Sequence, residues 1–304
     1  MHRVSDQSAP DAPDTTTVVP DAEATREAAG TTPPRWRRYV AVGDSFTEGL
    51  WDPYPYDDGT LAPSGTESDA KQRGWADRLA DTLSARRVAA GLAPLEYANL
   101  AIRGRLLRHI LDEQVPAALA AEPDLVSLVG GGNDILRPKA DPDVLAARLE
   151  DAVVEIRATG ADVLLATGFR AGGALSVTRG RTGQYNANVW SVARRHGAYV
   201  LDLWGMRSLF DYQVWSDDRI HLTSEGHRRV SQAALDALGL EPDDVAYDEL
   251  LEPRPPQRFV AKAREDVRWL RAHAVPWVRR RLQGTSSGDG RTAKWPTPGA
   301  WPPA

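Results

Sequence analysis

The chain has 304 residues, 42% of them hydrophobic and 26% charged, with a formal net charge of −5 and no cysteine. This is the balance of a folded protein large enough for one α/β domain with appendages. The negative charge argues against a chiefly nucleic-acid-binding role. The absence of cysteine excludes disulfides, thiolate zinc sites and a cysteine nucleophile.

Residues 1–35 are rich in Pro, Thr, Ala and acid and lack apolar periodicity, which predicts a disordered segment. No apolar core follows a basic start, so no secretory leader is expected there. No run in the chain approaches the roughly 20 apolar residues of a membrane span. The expectation is a cytoplasmic protein with no transmembrane segment.

Residues 36–251 read as one α/β domain. Five short, β-rich runs predict buried strands: 38–43, 95–99, 124–129, 162–166 and 198–203. Between them, apolar residues spaced by three and four predict helices near 73–90, 105–121, 142–158 and 184–196. A further helix starts near Thr223, where Thr-Ser-Glu offers an N-cap. Strands alternating with helices imply right-handed βαβ units and a parallel sheet covered on both faces. Ligands bind such sheets at the carboxyl ends of the strands.

Residues 51–71 form a long loop rich in Pro, Gly, Asp and aromatics, a length that marks a functional or disordered segment. Its Trp51, Tyr54 and Tyr56 suit either an aromatic wall for a ligand or a cluster that pins the loop. Residues 252–283 read as a helical extension, with an arginine-rich helix from Arg258 to Leu282 interrupted near Pro276. Packing on the domain suits this helix better than attachment to an anionic surface. Residues 284–304 read as a flexible tail. Gly284 to Gly288 match G-x-S-x-G but lack the strand and helix that a nucleophile elbow requires.

Four blocks carry chemistry. Gly43-Asp44-Ser45-Phe46-Thr47-Glu48-Gly49 follows the first strand, where a serine can present its Oγ to a cleft or simply cap a turn. Asp218-Arg219-Ile220-His221 precedes the last helix. A carboxylate three residues before a histidine can accept from its Nδ1–H and leave Nε2 as a base. Asp217 is a rival for the acid, and His227 suits packing or capping. Gly130-Gly131-Gly132-Asn133-Asp134 follows the third strand. Its glycines allow close backbone approach, Asn133 can donate to an oxyanion, and Asp134 suits fixing the loop. Neither a phosphate-loop Lys-Ser/Thr nor GxGxxG is present. Asn99 to Gly104 (NLAIRG) follows the second strand, where Gly104 can supply a backbone donor or form an ordinary turn.

In this order, each after its strand, the blocks resemble the signatures of SGNH (GDSL-like) serine hydrolases over roughly Tyr39 to Ala237. The resemblance implies a flavodoxin-like three-layer α/β/α sandwich with a five-stranded parallel sheet. It implies Ser45 as nucleophile, His221 as base, Asp218 as its partner, and an oxyanion hole from Ser45, Gly104 and Asn133. Phe46 stands where the family name has Leu. The implied activity is hydrolysis of small-molecule esters, by an esterase, lipase or carbohydrate acetylesterase, with no metal or organic cofactor. Acyl transfer to an alcohol on the same triad, or a non-catalytic binding module, are the competing classes. Loss of residues 286–304 is expected to leave turnover of a small ester intact.

Overall fold

The five predicted strands form β1 (Arg38–Val42), β2 (Glu96–Asn99), β3 (Leu125–Leu128), β4 (Asp162–Ala166) and β5 (Tyr199–Leu201). The computed structural model describes residues 33–55, 59–60, 64, 70–253, 269, 272, 275 and 285–303. The predicted disordered segment up to residue 32, Tyr56 and nearly all of the predicted helix 258–282 lie outside the described residues. Pro34 is already buried and Arg35 pairs with Asp162, so ordered packing begins slightly before Trp36.

Strands β1 to β5 pair in parallel in the order β5-β4-β3-β1-β2. Alternation along each strand feeds two cores. Tyr39 and Ala41 of β1 face one cluster with Trp75, Leu79, Leu83, Val230 and Ala234. Val40 and Val42 face the other, with Leu149, Val153, Ile156 and Val189. Helices Gly74–Ala89 and Ser224–Ala237 therefore cover one face, and Pro142–Ala158 and Arg179–His196 cover the other. The result is the predicted α/β/α sandwich. Its strand order reverses between β1 and β3, which opens a crevice at their carboxyl ends.

The caps explain where helices start. Asp141 Oδ1 accepts from the N–H of Asp143 at 2.9 Å and of Val144 at 3.3 Å, ahead of Pro142. Thr223 Oγ1 accepts from Gly226 N at 3.3 Å, as its sequence suggests. The predicted helix 105–121 is interrupted: Leu107–His109 runs into a π turn, Ile110–Gln114, before Val115–Ala120. Pro116 has no N–H for the regular ladder, and widened turns recur beside functional sites. Arg179–His196 starts five residues before the predicted 184, because Gly180 and Gly183 mask its helical pattern. Among the described residues, no helix is long and apolar enough to cross a membrane.

The sheet differs from the five-stranded expectation in one respect. A sixth strand, β6 (Trp295–Ala300), runs antiparallel to β2, with Glu96 opposite Ala300, Tyr97 opposite Gly299 and Asn99 opposite Trp295. It comes from the segment predicted to be a flexible tail. Pro296, Pro298 and Gly299 give that segment the composition of a linker, but prolines are tolerated on an edge strand. Burial supplies what composition hides. Trp301 is 3% exposed, and its indole N–H donates to Asp81 Oδ1 at 2.6 Å. The Lys294 side chain is 7% exposed and its Nζ lies 2.9 Å from Asp77 Oδ1. The same ammonium donates to the carbonyls of Glu48, Gln72 and Arg73 at 2.7, 3.0 and 2.6 Å.

Removing one member of a buried ion pair costs about 3–5 kcal/mol. Lys294→Met is therefore expected to lower Tm by roughly 10 °C, given about 2–4 °C per kcal/mol in a domain of this size. Differential scanning calorimetry measures this, and a Tm within error of wild type would show that the tail is dispensable. The tail predicted to be flexible is thus built into the sheet, and truncation of residues 286–304, expected from composition to spare turnover, removes β6, Lys294 and Trp301.

Candidate active site

Ser45 opens a one-turn helix, Ser45–Glu48, directly after β1. Asp44 caps it, with Oδ1 accepting from Phe46 N at 3.1 Å. The preceding peptide is clamped by a side chain: Gln114 Oε1 accepts from Gly43 N at 2.8 Å, and Gln114 Nε2 donates to Gly43 O at 3.0 Å. The π turn brings this amide to the end of β1. Glu48 ends the little helix and accepts from Arg103 N at 2.6 Å and from its guanidinium, which ties the first block to NLAIRG.

His221 arrives on the loop that joins Trp215 to Leu222, two residues bridged to each other. Asp218 organises this loop. Its Oδ1 accepts from Ser216 Oγ at 2.7 Å and from the backbone N–H groups of Ile220 and His221, both at 2.9 Å. Its Oδ2 lies 2.5 Å from His221 Nδ1 and accepts from the Trp51 indole N–H at 2.7 Å. On the other side of the ring, His221 Nε2 lies 2.8 Å from Ser45 Oγ. Burial opposes ionisation of Asp218, but the His221 ring and the hydrogen bonds from His221 and Ser216 outweigh it. The carboxyl is held well below the usual carboxylate range. An ionised carboxylate at this distance fixes the proton on Nδ1 and leaves Nε2 to face the serine. Asp217, the alternative acid, is exposed.

Two residues here occupy the left-handed region although neither is glycine: Trp51 (φ 70°) and Arg219 (φ 59°). Such strain costs about 1–3 kcal/mol and persists only where the surroundings enforce it. Trp51 is enforced from both ends, by Gln72 Oε1 on its backbone N–H at 3.0 Å and by Asp218 on its indole. Tyr54 donates to Asp77 Oδ2 at 2.9 Å. Of the two roles open to these aromatics, the structure shows loop pinning, since neither lines the cavity beside Ser45.

That cavity measures about 120 Å³ and is bordered by Ser45, His221 and Asn133. Its remaining wall is mostly apolar, with Val129, Ile135, Leu136, Phe169, Leu175 and Leu203. Asn133 Nδ2 lies 3.0 Å from both Asp44 Oδ2 and Arg105 O. Burial lifts the Asp44 carboxyl to about 6, against the pull of its Phe46 hydrogen bond and the His221 charge. Gly131 has φ +93°, and a Cβ there would lie 2.9 Å from the Tyr185 ring. Asp134 fixes the loop by accepting from Leu107 N at 2.8 Å. Gly104 has φ +72° but does not line the cavity, and a side chain on it would collide with Ser286 Oγ. Ser286 itself donates to Gly104 O at 3.2 Å, in a turn rather than an elbow. Among the described residues, no group of three or more His, Asp and Glu side chains is arranged to hold a metal.

Sequence reasoning missed Gln114, Ser216 and the link from Trp51 to Asp218. Only Ser216, two residues before the acid, carries a local signal, as a hydroxyl that closes a turn.

The family described as GDSL-like lipase/acylhydrolase matches residues 41–229, more than half of the chain. The chain belongs to this family. It is accordingly a serine ester hydrolase. Solved structures with the same fold include the acetylxylan esterase Axe2 from Geobacillus stearothermophilus. That structure is 23% identical, with a TM-score of 0.53 over 69% of this chain and 97% of that one. LAE5, an α/β hydrolase enzyme from the metagenome of Lake Arreo, Spain, is 24% identical, with a TM-score of 0.53 over 69% and 98%. TesA is 22% identical, with a TM-score of 0.50 over 66% and 98%. No curated protein matches the chain.

Trp51→Phe keeps the ring and deletes the donor to Asp218. A hydrogen bond to a charged group is worth about 1.5–3 kcal/mol, so kcat/KM on a p-nitrophenyl ester is expected to fall about tenfold. An unchanged rate in a folded variant would make the indole N–H purely a tether.

His227, in the same family domain, is buried. It donates from Nε2 to Leu50 O at 3.1 Å and accepts from Trp75 N at Nδ1, 3.3 Å. Burial pushes its pKa down to about 4. The unfolded value is near 6.5, so its contribution is fully present above pH ~6.5 and is lost as pH falls toward the folded value. The window of about 2.5 units corresponds to roughly 3 kcal/mol. His227→Gln is expected to flatten that acid loss, as read by urea unfolding at neutral pH and near pH ~4. Parallel losses in the two proteins would assign the acid sensitivity elsewhere.

Proposed function

We propose that this GDSL-like hydrolase cleaves carboxylic esters of short to medium apolar acids, with Ser45 as nucleophile, His221 as general base and acid, and Asp218 as the carboxylate that orients it. The observation that carries the reading is the hydrogen-bond chain Ser45 Oγ to His221 Nε2 to Asp218 Oδ2, at 2.8 and 2.5 Å, at the mouth of an apolar cavity.

In the proposed cycle, Ser45 Oγ attacks the ester carbonyl while its proton passes to His221 Nε2. Asp218 stays ionised and stabilises the imidazolium. The backbone N–H of Ser45 and the Asn133 amide, both bordering the cavity, receive the oxyanion, and Gly104, which lies outside the cavity, is not assigned a donor role. Asn133 would share that donation with Asp44 or Arg105 O, its present acceptors. His221 then protonates the leaving alkoxide, and the acyl group stays on Ser45. Water, deprotonated by His221, attacks the acyl-enzyme, and release of the acid returns the proton to Ser45.

Cavity size argues the acyl preference. An apolar cavity of about 150 Å³ accommodates a benzene ring. The 120 Å³ here therefore suits a chain of about four to six carbons rather than a long lipid tail.

A p-nitrophenyl ester series from acetate to decanoate tests this, with acetylated xylo-oligosaccharide beside it because a similar fold serves an acetylxylan esterase. The expected kcat/KM maximum lies at about four to six carbons, with a fall of about tenfold or more at the longest chain, since each methylene contributes about 0.8 kcal/mol only where it is buried. A maximum at acetate overturns the acyl assignment. Ser45→Ala is expected to lower kcat by about 10⁴-fold or more with folding retained. Phosphonate labelling of another residue overturns the nucleophile.

A further inference from the structure

A second, larger cleft adjoins the catalytic cavity and has no role in the cycle above. It measures about 670 Å³ and shares Phe169, Ala171 and Leu175 with the smaller cavity. Its described lining includes Arg170, Arg179 and Arg219 and no aspartate or glutamate, in a chain of net charge −5. Aromatic rings set the arginines in place. The Arg170 guanidinium lies 5.2 Å from the ring centre of Phe210, and that of Arg219 lies 5.3 Å from Trp269. Arg179 Nε donates to Ala171 O at 2.7 Å, which fixes the plane of its guanidinium. Phe210 and Tyr212 stay 44% and 69% exposed at the rim and present their faces to the cleft mouth.

We propose that this cleft receives the alcohol side of the ester, and that it selects alcohols carrying an anionic group, carboxylate or phosphate, on a ring. The inference rests on the hydrolase reading above. If the apolar cavity takes the acyl group, the leaving group extends away from it across the shared residues into the second cleft. His221, the leaving-group acid, borders the smaller cavity, and Arg219, two residues before it, lines the second cleft, so the two clefts adjoin at the departing oxygen. Planar guanidinium groups match the oxygens of carboxylate and phosphate, and exposed rings offer a face to a cyclic alcohol.

The test uses butyrate esters of three para-substituted phenols, bearing carboxylate, phosphate or neutral carboxamide. The ratio of kcat/KM for each anionic ester to that for the carboxamide is compared between wild type and Arg170→Ala/Arg179→Ala, so that intrinsic leaving-group reactivity cancels. The double variant is expected to lose about tenfold or more of that ratio, the scale of a charge-assisted hydrogen bond. A loss with one anion only identifies which of the two the cleft takes. In wild type, the ratio is expected to fall as salt rises from about 0.05 to 0.5 M, because partly exposed charges are screened. A ratio that neither the variant nor salt changes overturns the proposal while leaving Ser45 hydrolysis intact. Calorimetric titration with 4-hydroxybenzoate, 4-hydroxyphenyl phosphate and 4-hydroxybenzamide reads the cleft without turnover. Binding of an anion at least about tenfold tighter than the amide, weakened in the double variant, is expected. Equal binding of all three overturns the proposal, even if the hydrolase reading has failed.

Discussion

A carboxylate with no access to water must find its counter-charge and its donors inside the protein, and Asp77 is such a group. It is fully buried on the helix Gly74–Ala89. Tyr54 reaches it from the loop after Ser45, Tyr97 and Asn99 from β2, Trp295 from β6 and Lys294 from the residue before it. Its neutralisation needs all of these elements in register at once. Lys294 then extends the network to the carbonyl of Glu48, the last residue of the helix that Ser45 begins. The position of Ser45 is thus linked to a charge that cannot be left unpaired.

The Asp218–His221 side obeys a different logic, that of local strain held by saturated hydrogen bonding. Both Asp218 oxygens are taken, by two backbone N–H groups, a serine hydroxyl, an imidazole and an indole. Such a carboxylate cannot turn, so the ring it holds cannot turn either. Trp51, whose indole donates to Asp218, and Arg219, the next residue after it, are both left-handed, and such strain persists only where the surroundings enforce it. Preorganisation of this kind is what the proposed role of His221 as base requires.

Much of this was legible in the chain. Five strands declared themselves because a parallel strand buried on both faces must be a short apolar run. Ser45 and Asn133 stood out because each follows a strand, where a sheet of this kind gathers its ligands, and Asp218 and His221 because they pair just before a helix. The sixth strand was hidden by its own composition. Two prolines, a glycine and a lysine signal solvent, and only the distant Asp77 gives Lys294 a reason to be buried. Gln114 was hidden because an amide inside a helical pattern carries no mark of the peptide it will clamp. Trp51 was visible as an aromatic, yet its donor role depends on a backbone conformation that no pattern announces. Gly104 was singled out for its block, but the crowding by Ser286 that constrains it comes from a segment more than 180 residues away.

The pairing of β6 with β2 also has a consequence for biosynthesis. β2 ends at Asn99 and β6 begins at Trp295, so roughly 200 residues separate them, or about 10–40 s of translation at 5–20 residues per second. Throughout that interval the nascent chain carries an unpaired β2 edge and an Asp77 without its lysine. An open edge is a template for pairing with other chains. The ribosome-bound domain is therefore most vulnerable to misassociation after Ser45, Asp218 and His221 have been made and before the segment carrying Lys294 has emerged.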